Sequence, residues 1–199
     1  MLRPNFFFGF PLDGNFLQEL PELPRSFRRF HVEDVHMTLA FLGTCGEEAA
    51  LRALAALDER LKVSPIEVMN VSLGEIVPMG GSRRKYSALS ATLDHGREEA
   101  AACLMAYRDI LTETATGRIE KQTAKPHVTI ARPRQRATDD QRAAGLEWAA
   151  RIDLRSVQAR LDRVALYTWN ENRQERLFRI LAERLSVPSL KVEVRGRSS

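Results

Sequence analysis

The spacing of apolar residues along the chain predicts an alternation of β-strands and α-helices. Short apolar runs bounded by turn residues predict strands over residues 5–12, 35–42, 66–77, 86–93, 126–131 and 157–169. A repeat of three to four residues predicts helices over residues 15–20, 47–62, 97–115 and 139–151. Residues 176–187 fit either pattern. No long linker separates the two halves, so we expect a single bilobal domain spanning residues 1–199, in which the chain can cross between lobes.

Individual residues within these elements carry further expectations. The helix over 47–62 has a leucine stripe that predicts its buried face: Leu51, Leu54, Leu57 and Leu61. For the helix over 97–115, Asp94 is a candidate cap and Gly117 a candidate stop. Strict alternation along residues 35–42 places Phe41 on the face opposite His36, which predicts that Phe41 packs in the core.

Two His-x-Thr triplets lie 91 residues apart, one in each half of the chain. Residues 36–38 are HMT and residues 127–129 are HVT, each within a predicted strand. Side chains two residues apart on a strand share a face, so each triplet presents an imidazole beside a hydroxyl. The similar order of elements around the triplets suggests a duplicated unit, with both triplets lining one pocket.

Two histidines and two threonines that line one pocket are suited to phosphodiester hydrolysis. Because the unperturbed histidine pKa is about 6.5, either His36 or His127 can take a proton from water while the other protonates the leaving oxygen. The hydroxyls of Thr38 and Thr129 can hydrogen-bond the non-bridging phosphate oxygens. Arg132 is either a further phosphate ligand or part of a salt bridge at the rim. We expect no metal and no cofactor. If the substrate is a cyclic phosphate, its ring is strained, and a protonated imidazole can help neutralise the charge that develops in the reaction.

Composition is compatible with this chemistry without requiring it. The chain has 199 residues, of which 44% are hydrophobic and 28% charged, as in ordinary globular proteins. Its net charge of +4 fits an anionic substrate. Basic residues cluster in three places, which are either solvated loop charges or phosphate contacts: Arg25, Arg28 and Arg29; Arg83, Arg84 and Lys85; Arg132, Arg134 and Arg136.

The remaining chemical groups point to no second site. Cys45 and Cys103 have neither metal-ligand nor disulfide spacing, and His31 and His95 lack the triplet context and are expected at the surface. The apolar stretch over residues 6–10 is too short for a signal peptide or a membrane span. We therefore expect a cytoplasmic monomer that does not associate with membranes.

Four segments together resemble the 2H phosphoesterase superfamily, which is named for paired His-x-Thr motifs. Within it, the likeness is to the bacterial and archaeal RNA 2′,3′-cyclic phosphodiesterases, formerly called 2′-5′ RNA ligases. Residues 33–43, EDVHMTLAFLG, resemble the first family motif, and residues 125–133, KPHVTIARP, resemble the second. The strand FFFGF at residues 6–10 and LDRVALY at residues 161–167 also match in kind. The chain departs from the family pattern at residues 86–89 and 167–172, which bear on substrate preference.

The resemblance implies an α+β fold with two pseudo-symmetric lobes, in which antiparallel sheets face a central cleft and helices lie outside. It implies that His36, Thr38, His127 and Thr129 line that cleft, and that residues 176–187 form a strand. By the same analogy, His36 is the general acid that protonates O3′ and His127 the general base for water. The expected reaction opens the 2′,3′-cyclic phosphate of RNA ends or nucleotides to a 2′-phosphate, and its reverse would be 2′-5′ ligation.

Other functions remain compatible with the same residues. The site could hydrolyse 2′-5′-linked oligonucleotides, or the chain could be a non-catalytic module that binds RNA or nucleotides. Intact histidines and threonines at all four positions favour an enzyme, because a binding module has no need of two acid–base groups. A structural protein with accidental triplets is a further alternative.

Overall fold

The computed structural model describes residues 3–82, 85–119 and 123–188, and the basic residues Arg83 and Arg84 lie outside them. The strands are β1 (Phe6–Pro11), β2 (Phe27–Arg29), β3 (His36–Gly43), β4 (Met69–Met79), β5 (Ala88–His95), β6 (His127–Pro133), β7 (Gln158–Leu161), β8 (Arg163–Trp169) and β9 (Phe178–Leu185). The α-helices are α1 (Glu47–Val63), α2 (Arg97–Thr116) and α3 (Asp139–Ala149). Short 3-10 helices span Asn15–Glu19 and Val32–Asp34.

The strands form one curled antiparallel sheet with the order β7-β4-β5-β6-β3-β1-β8-β9, and β2 pairs with the far end of β6. The first lobe contains the strands β3, β1, β8 and β9, and the second lobe contains β7, β4, β5 and β6. These lobes are joined between β3 and β6 at a single residue pair, Met37 and Val128. The two triplet-bearing strands are therefore neighbours at the junction between the two lobes.

The chain passes from one lobe to the other at Asp162. We predicted one strand over residues 157–169, but the structure divides it there into β7 and β8. The reason is that β7 pairs with β4 of the second lobe, whereas β8 pairs with β1 and β9 of the first. The ambiguous segment is the strand β9, as the resemblance implied.

The helices and the sheet enclose one core, to which α1 contributes most of the predicted leucine stripe, since Leu54 and Leu61 pack against it partly buried. Leu57 is fully buried, but the other buried positions of α1 are alanines, including Ala50 and Ala53. Leu51 is 46% exposed, so its place in the predicted stripe was wrong. Helix α1 packs mainly against α2.

Helix α2 begins at Arg97 as predicted, but Asp94 is not its cap. β5 continues through His95, so Asp94 stays in the strand and does not cap the helix. Gly96 makes the turn with φ of 74°, where a Cβ would lie 2.9 Å from the carbonyl oxygen of Asn70. Gly117 ends α2 in the left-handed conformation, as predicted. In the described part of the chain, no helix has the length and apolar character needed to cross a membrane.

Candidate active site

The two triplets occupy equivalent positions on adjacent strands. His36 is the first residue of β3 and His127 the first residue of β6. The middle residues of the triplets, Met37 and Val128, are the pair that joins the strands, and both are buried in the core. In an antiparallel ladder this pairing sets His36 alongside Thr129 and His127 alongside Thr38. Both histidines and both threonines then project from the face of the sheet opposite the side chains of Met37 and Val128.

Each histidine is held by the same backbone contact. Nδ1 of His36 lies 2.6 Å from the carbonyl oxygen of Asp34, and Nδ1 of His127 lies 2.6 Å from that of Lys125. A carbonyl oxygen only accepts hydrogen bonds, so Nδ1 carries the proton in both rings. When each ring is neutral, Nε2 therefore has a free lone pair that can accept a proton.

A bulge follows the threonine in each strand. Opposite β1, Gly9 pairs with Thr38 and Phe8 with Ala40, so Leu39 is an extra residue in β3. Opposite β5, Ser90 pairs with Thr129 and Leu89 with Ala131, so Ile130 is the corresponding extra residue in β6. A bulge shifts the alternation of side chains by one position.

The bulges bring one more side chain from each strand to the cleft face. Phe41 follows Thr38 by three residues and Arg132 follows Thr129 by three, and both are exposed beside the triplets. The prediction that Phe41 packs in the core was therefore wrong, since it is 59% exposed. The prediction was wrong because it assumed unbroken alternation of side chains along the strand. The two consecutive buried residues Leu39 and Ala40 show where that alternation fails.

A cavity of about 330 Å³ opens beside His36. Its lining contains arginine, aromatic and polar side chains and no acidic residue from the described part of the chain: Asn5, Phe7, Arg28, Phe30, His36, Thr38, Phe41, Arg132, Trp169, Arg173, Leu177 and Phe178. His127 and Thr129 are outside this lining. Oγ1 of Thr129, on β6, lies 3.4 Å from Oγ of Ser90.

Aromatic rings surround His36 and exclude water from it. The imidazole centroid lies 4.6 Å from that of Phe7, 5.3 Å from Tyr167 and 5.6 Å from Phe178. This burial lowers the pKa of His36 to about 4, against the opposing effect of the Asp34 carbonyl. The positive charge of Arg132 lowers it further, and so does His127 when it is protonated. In the free protein His36 is therefore uncharged at neutral pH.

Asp34 connects the first triplet to the segment before β9, and our sequence prediction gave it no role. Its buried carboxylate accepts hydrogen bonds from the backbone N–H groups of Leu177, at 2.7 Å, and Phe178, at 3.0 Å. Its own carbonyl holds His36. The only feature of the sequence that could have indicated this role is the position of an acidic residue directly before an apolar strand. The sequence prediction also gave Gly9 no role. A Cβ at this position would lie 3.3 Å from Cδ2 of His36, so the absence of a side chain leaves room for the imidazole.

The other two histidines are exposed, as expected for surface residues. His31 accepts a hydrogen bond from the backbone of Glu33, and His95 ends β5. In the described ranges, no group of three or more His, Cys, Asp or Glu side chains is arranged to hold a metal ion.

Solved structures share this architecture, although sequence comparison alone finds no relative. No protein-family model matches the chain, and no curated protein sequence matches it significantly. The complex of LigT from E. coli with 3′-AMP superposes with a TM-score of 0.65 at 15% identity, covering 92% of this chain and 99% of LigT. TT0787 of Thermus thermophilus has a TM-score of 0.62 at 17% identity, covering 93% and 99%.

A more distant structure extends the comparison. Usb1 from Kluyveromyces marxianus has a TM-score of 0.52 at 13% identity, covering 82% of this chain and 92% of Usb1. The curled antiparallel sheet and its helices are common to these proteins. The chain therefore has a LigT-like α+β fold, and the fold that the resemblance of the two motifs implied is confirmed.

Proposed function

We propose that the protein is a 2H phosphoesterase that hydrolyses 2′,3′-cyclic phosphates of RNA ends or nucleotides to 2′-phosphates. The observation that carries this proposal is the equivalent setting of the two imidazoles. Each donates Nδ1–H to a carbonyl two residues earlier, on neighbouring strands joined between the triplets. Nε2 of His36 and Nε2 of His127 are thus both left for acid–base work on one substrate.

In the proposed reaction a water oxygen attacks phosphorus and the bond from phosphorus to O3′ breaks. Nε2 of His127 takes the proton from the water, and Nε2 of His36 gives a proton to O3′, which leaves as the hydroxyl. Each proton transfer contributes about 10²–10⁴-fold to the rate. After turnover His127 carries the extra proton and His36 lacks one, and exchange with solvent restores both.

The neighbouring residues suit a phosphate and a nucleoside. Thr38, Thr129 and Arg132 can donate hydrogen bonds to the non-bridging oxygens, and no acidic side chain in the described lining of the cavity would repel them. The exposed ring of Phe41 offers a surface on which a base can stack. LigT from E. coli has been crystallised with 3′-AMP, ATP, NADP+ and phosphate, which supports a ligand of this class for the shared fold.

The test is hydrolysis in the presence of EDTA. Nucleoside 2′,3′-cyclic phosphates and an RNA oligonucleotide with a cyclic phosphate end are incubated with the protein, and the phosphate position in the product is determined. We expect a 2′-phosphate, a bell-shaped pH profile, and loss of at least 10²-fold in activity for His36→Ala and for His127→Ala. His95→Ala, at an exposed histidine, is the matched control and should retain full activity.

Each contrary result identifies a different error. Full activity in either single-histidine variant contradicts the two-histidine mechanism, and loss of activity with EDTA contradicts a metal-independent reaction. Cleavage of 2′-5′-linked dinucleotides without cleavage of cyclic phosphates would assign the alternative phosphodiesterase activity. Tight nucleotide binding without turnover of any substrate would make the protein a binding module.

A further inference from the structure

Three arginines converge on the cavity beside His36, from three separate segments. Arg28 on β2 and Arg132 on β6 are directly opposite residues of the antiparallel ladder. Arg173 comes from the loop between β8 and β9 and lines the same cavity. Arg28 donates a hydrogen bond of 2.8 Å to the backbone carbonyl of Arg173, which ties β2 to this loop. These three residues are called the arginine cluster below.

Aromatic rings support two members of the cluster. The guanidinium carbon of Arg173 lies 3.9 Å from the ring centroid of Trp169, and that of Arg132 lies 5.4 Å from the centroid of Phe30. Stacking on a ring leaves the N–H groups at the edge of the guanidinium plane free to donate. Both arginines are therefore held in place with donors still available.

The arginine cluster has no acidic partner in the part of the chain that the structure describes. None of its members lies within ion-pair distance of a described carboxylate, and the nearby acids have other contacts. Glu33 pairs with Arg176 at 2.6 Å, and Glu175 accepts a hydrogen bond from Asn172. Like charges directly opposite each other in a ladder destabilise the ladder, so we expect the arginine cluster to bind an anion.

One phosphate does not account for all three arginines. In the proposed function, the scissile phosphate lies beside His36 and Arg132, whose charge acts on His36. The charge of Arg173 in turn acts on Arg132. Arg28 lies opposite Arg132 in the ladder and is hydrogen-bonded to the backbone of Arg173, and both line the same cavity. Arg28 and Arg173 therefore remain for a second anionic group.

We propose that Arg28 and Arg173 bind a second phosphate, the 5′-phosphate of the nucleotide that carries the cyclic phosphate. This inference rests on the proposed function for the placement of the first phosphate. It names the substrate class as nucleotides with phosphate on both sides of the ribose, in preference to simple nucleoside cyclic phosphates. The second phosphate can be a terminal monoester or the phosphodiester that links the nucleotide to an RNA chain.

The first experiment measures binding without catalysis. The affinities of nucleoside 2′-monophosphate and nucleoside 2′,5′-bisphosphate are compared by calorimetry at one salt concentration. Hydrogen bonds from charged donors favour the bisphosphate about tenfold, at the lower end of their range because the cluster is open to solvent. Arg173→Ala and Arg28→Ala should each reduce this preference severalfold. Arg136→Ala removes an exposed arginine from the turn after β6 and should leave the preference unchanged.

The second experiment identifies the source of the second phosphate. Values of kcat/KM are compared for a nucleoside 2′,3′-cyclic phosphate, the same compound with a 5′-phosphate, and a dinucleotide ending in the cyclic phosphate. Preference for both phosphorylated compounds indicates an RNA end, whereas preference for the 5′-monoester alone indicates a mononucleotide. The affinity for the bisphosphate should also fall more steeply with salt than that for the monophosphate.

The outcomes separate this inference from the proposed function. A bisphosphate preference that persists in both Arg173→Ala and Arg28→Ala, or that the wild-type protein lacks, overturns the second-phosphate site. Hydrolysis of all three cyclic phosphates with equal kcat/KM overturns it as well, while leaving the proposed reaction intact. Absence of hydrolysis together with an arginine-dependent bisphosphate preference refutes the proposed reaction and retains the site.

Discussion

Binding of a phosphate anion in the cleft should raise the pKa of His36 from about 4 towards neutrality. With its pKa at about 4, only about one His36 side chain in a thousand is protonated at pH 7 in the free protein. A general acid needs that proton. Raising the pKa to about 7 requires about 4 kcal/mol of favourable interaction with the protonated ring, at about 1.36 kcal/mol for each pKa unit.

A single phosphate charge supplies an interaction of that size. Two unit charges about 4 Å apart interact by about 4 kcal/mol at an effective dielectric constant of about 20. The expected position of the substrate, in contact with Nε2 of His36, gives this separation. The substrate therefore provides the charge that protonates its own acid, and the proton is taken up on binding.

The assay is an NMR titration of protein with isotopically labelled histidine. The ring signals of the four histidines are followed between about pH 3.5 and 8, without ligand and with saturating nucleoside 2′-monophosphate. His36 should titrate near pH 4 alone and at least two pH units higher in the complex. The phosphorus signal reports the ionisation of the ligand separately.

The opposite result would reassign the mechanism. If the pKa of His36 stays near 4 in the complex while the enzyme turns over at pH 7, then His36 cannot be the acid. Its neutral Nε2 would instead be the base, and His127 would protonate the leaving oxygen.

Three further predictions concern stability and substrate binding. His36 stays neutral in the folded protein down to about pH 4 while the unfolded chain takes up a proton near pH 6.5, so the wild-type protein should lose about 3 kcal/mol of unfolding free energy between pH 6.5 and 4. His36→Gln should remove that part of the pH dependence in urea unfolding, and an unchanged slope would contradict the buried neutral state. Asp34→Ala leaves the N–H groups of Leu177 and Phe178 without their acceptor and should cost about 2–4 kcal/mol in the same assay, with Asp34→Asn losing less. Phe41→Ala should raise KM for cyclic nucleotides about tenfold with stability changed by less than about 0.5 kcal/mol, and an unaltered KM would exclude base stacking there.

The residues of the triplets could be placed from the sequence because they obey a local rule. In a regular strand, positions two apart share a face, and the buried middle residues Met37 and Val128 follow that rule. The position of Phe41 could not be obtained in this way. The bulge at Leu39 depends on the register against β1, and no residue within β3 predicts it.

Contacts between distant segments were also beyond the sequence patterns. β2 has only three residues, two of them arginines, so its apolar content is too small to predict a strand. Its existence depends on pairing with β6. In the same way, the function of Asp34 becomes visible only when the segment before β9 is placed beside it.

The crossing of the chain at Asp162 affects the order in which the protein can be made. β3, which carries His36, is synthesised early, but its lobe is completed by β8 and β9, and the hydrogen bonds to Asp34 span 143 and 144 residues. The second lobe, with His127, lies between them in the chain and has all its strands by Leu161. A chain emerging from the ribosome therefore finishes its second lobe before its first, and the setting of His36 forms last. Contacts over such separations slow folding, and a nascent chain that stops short of β9 lacks the groups that hold Asp34.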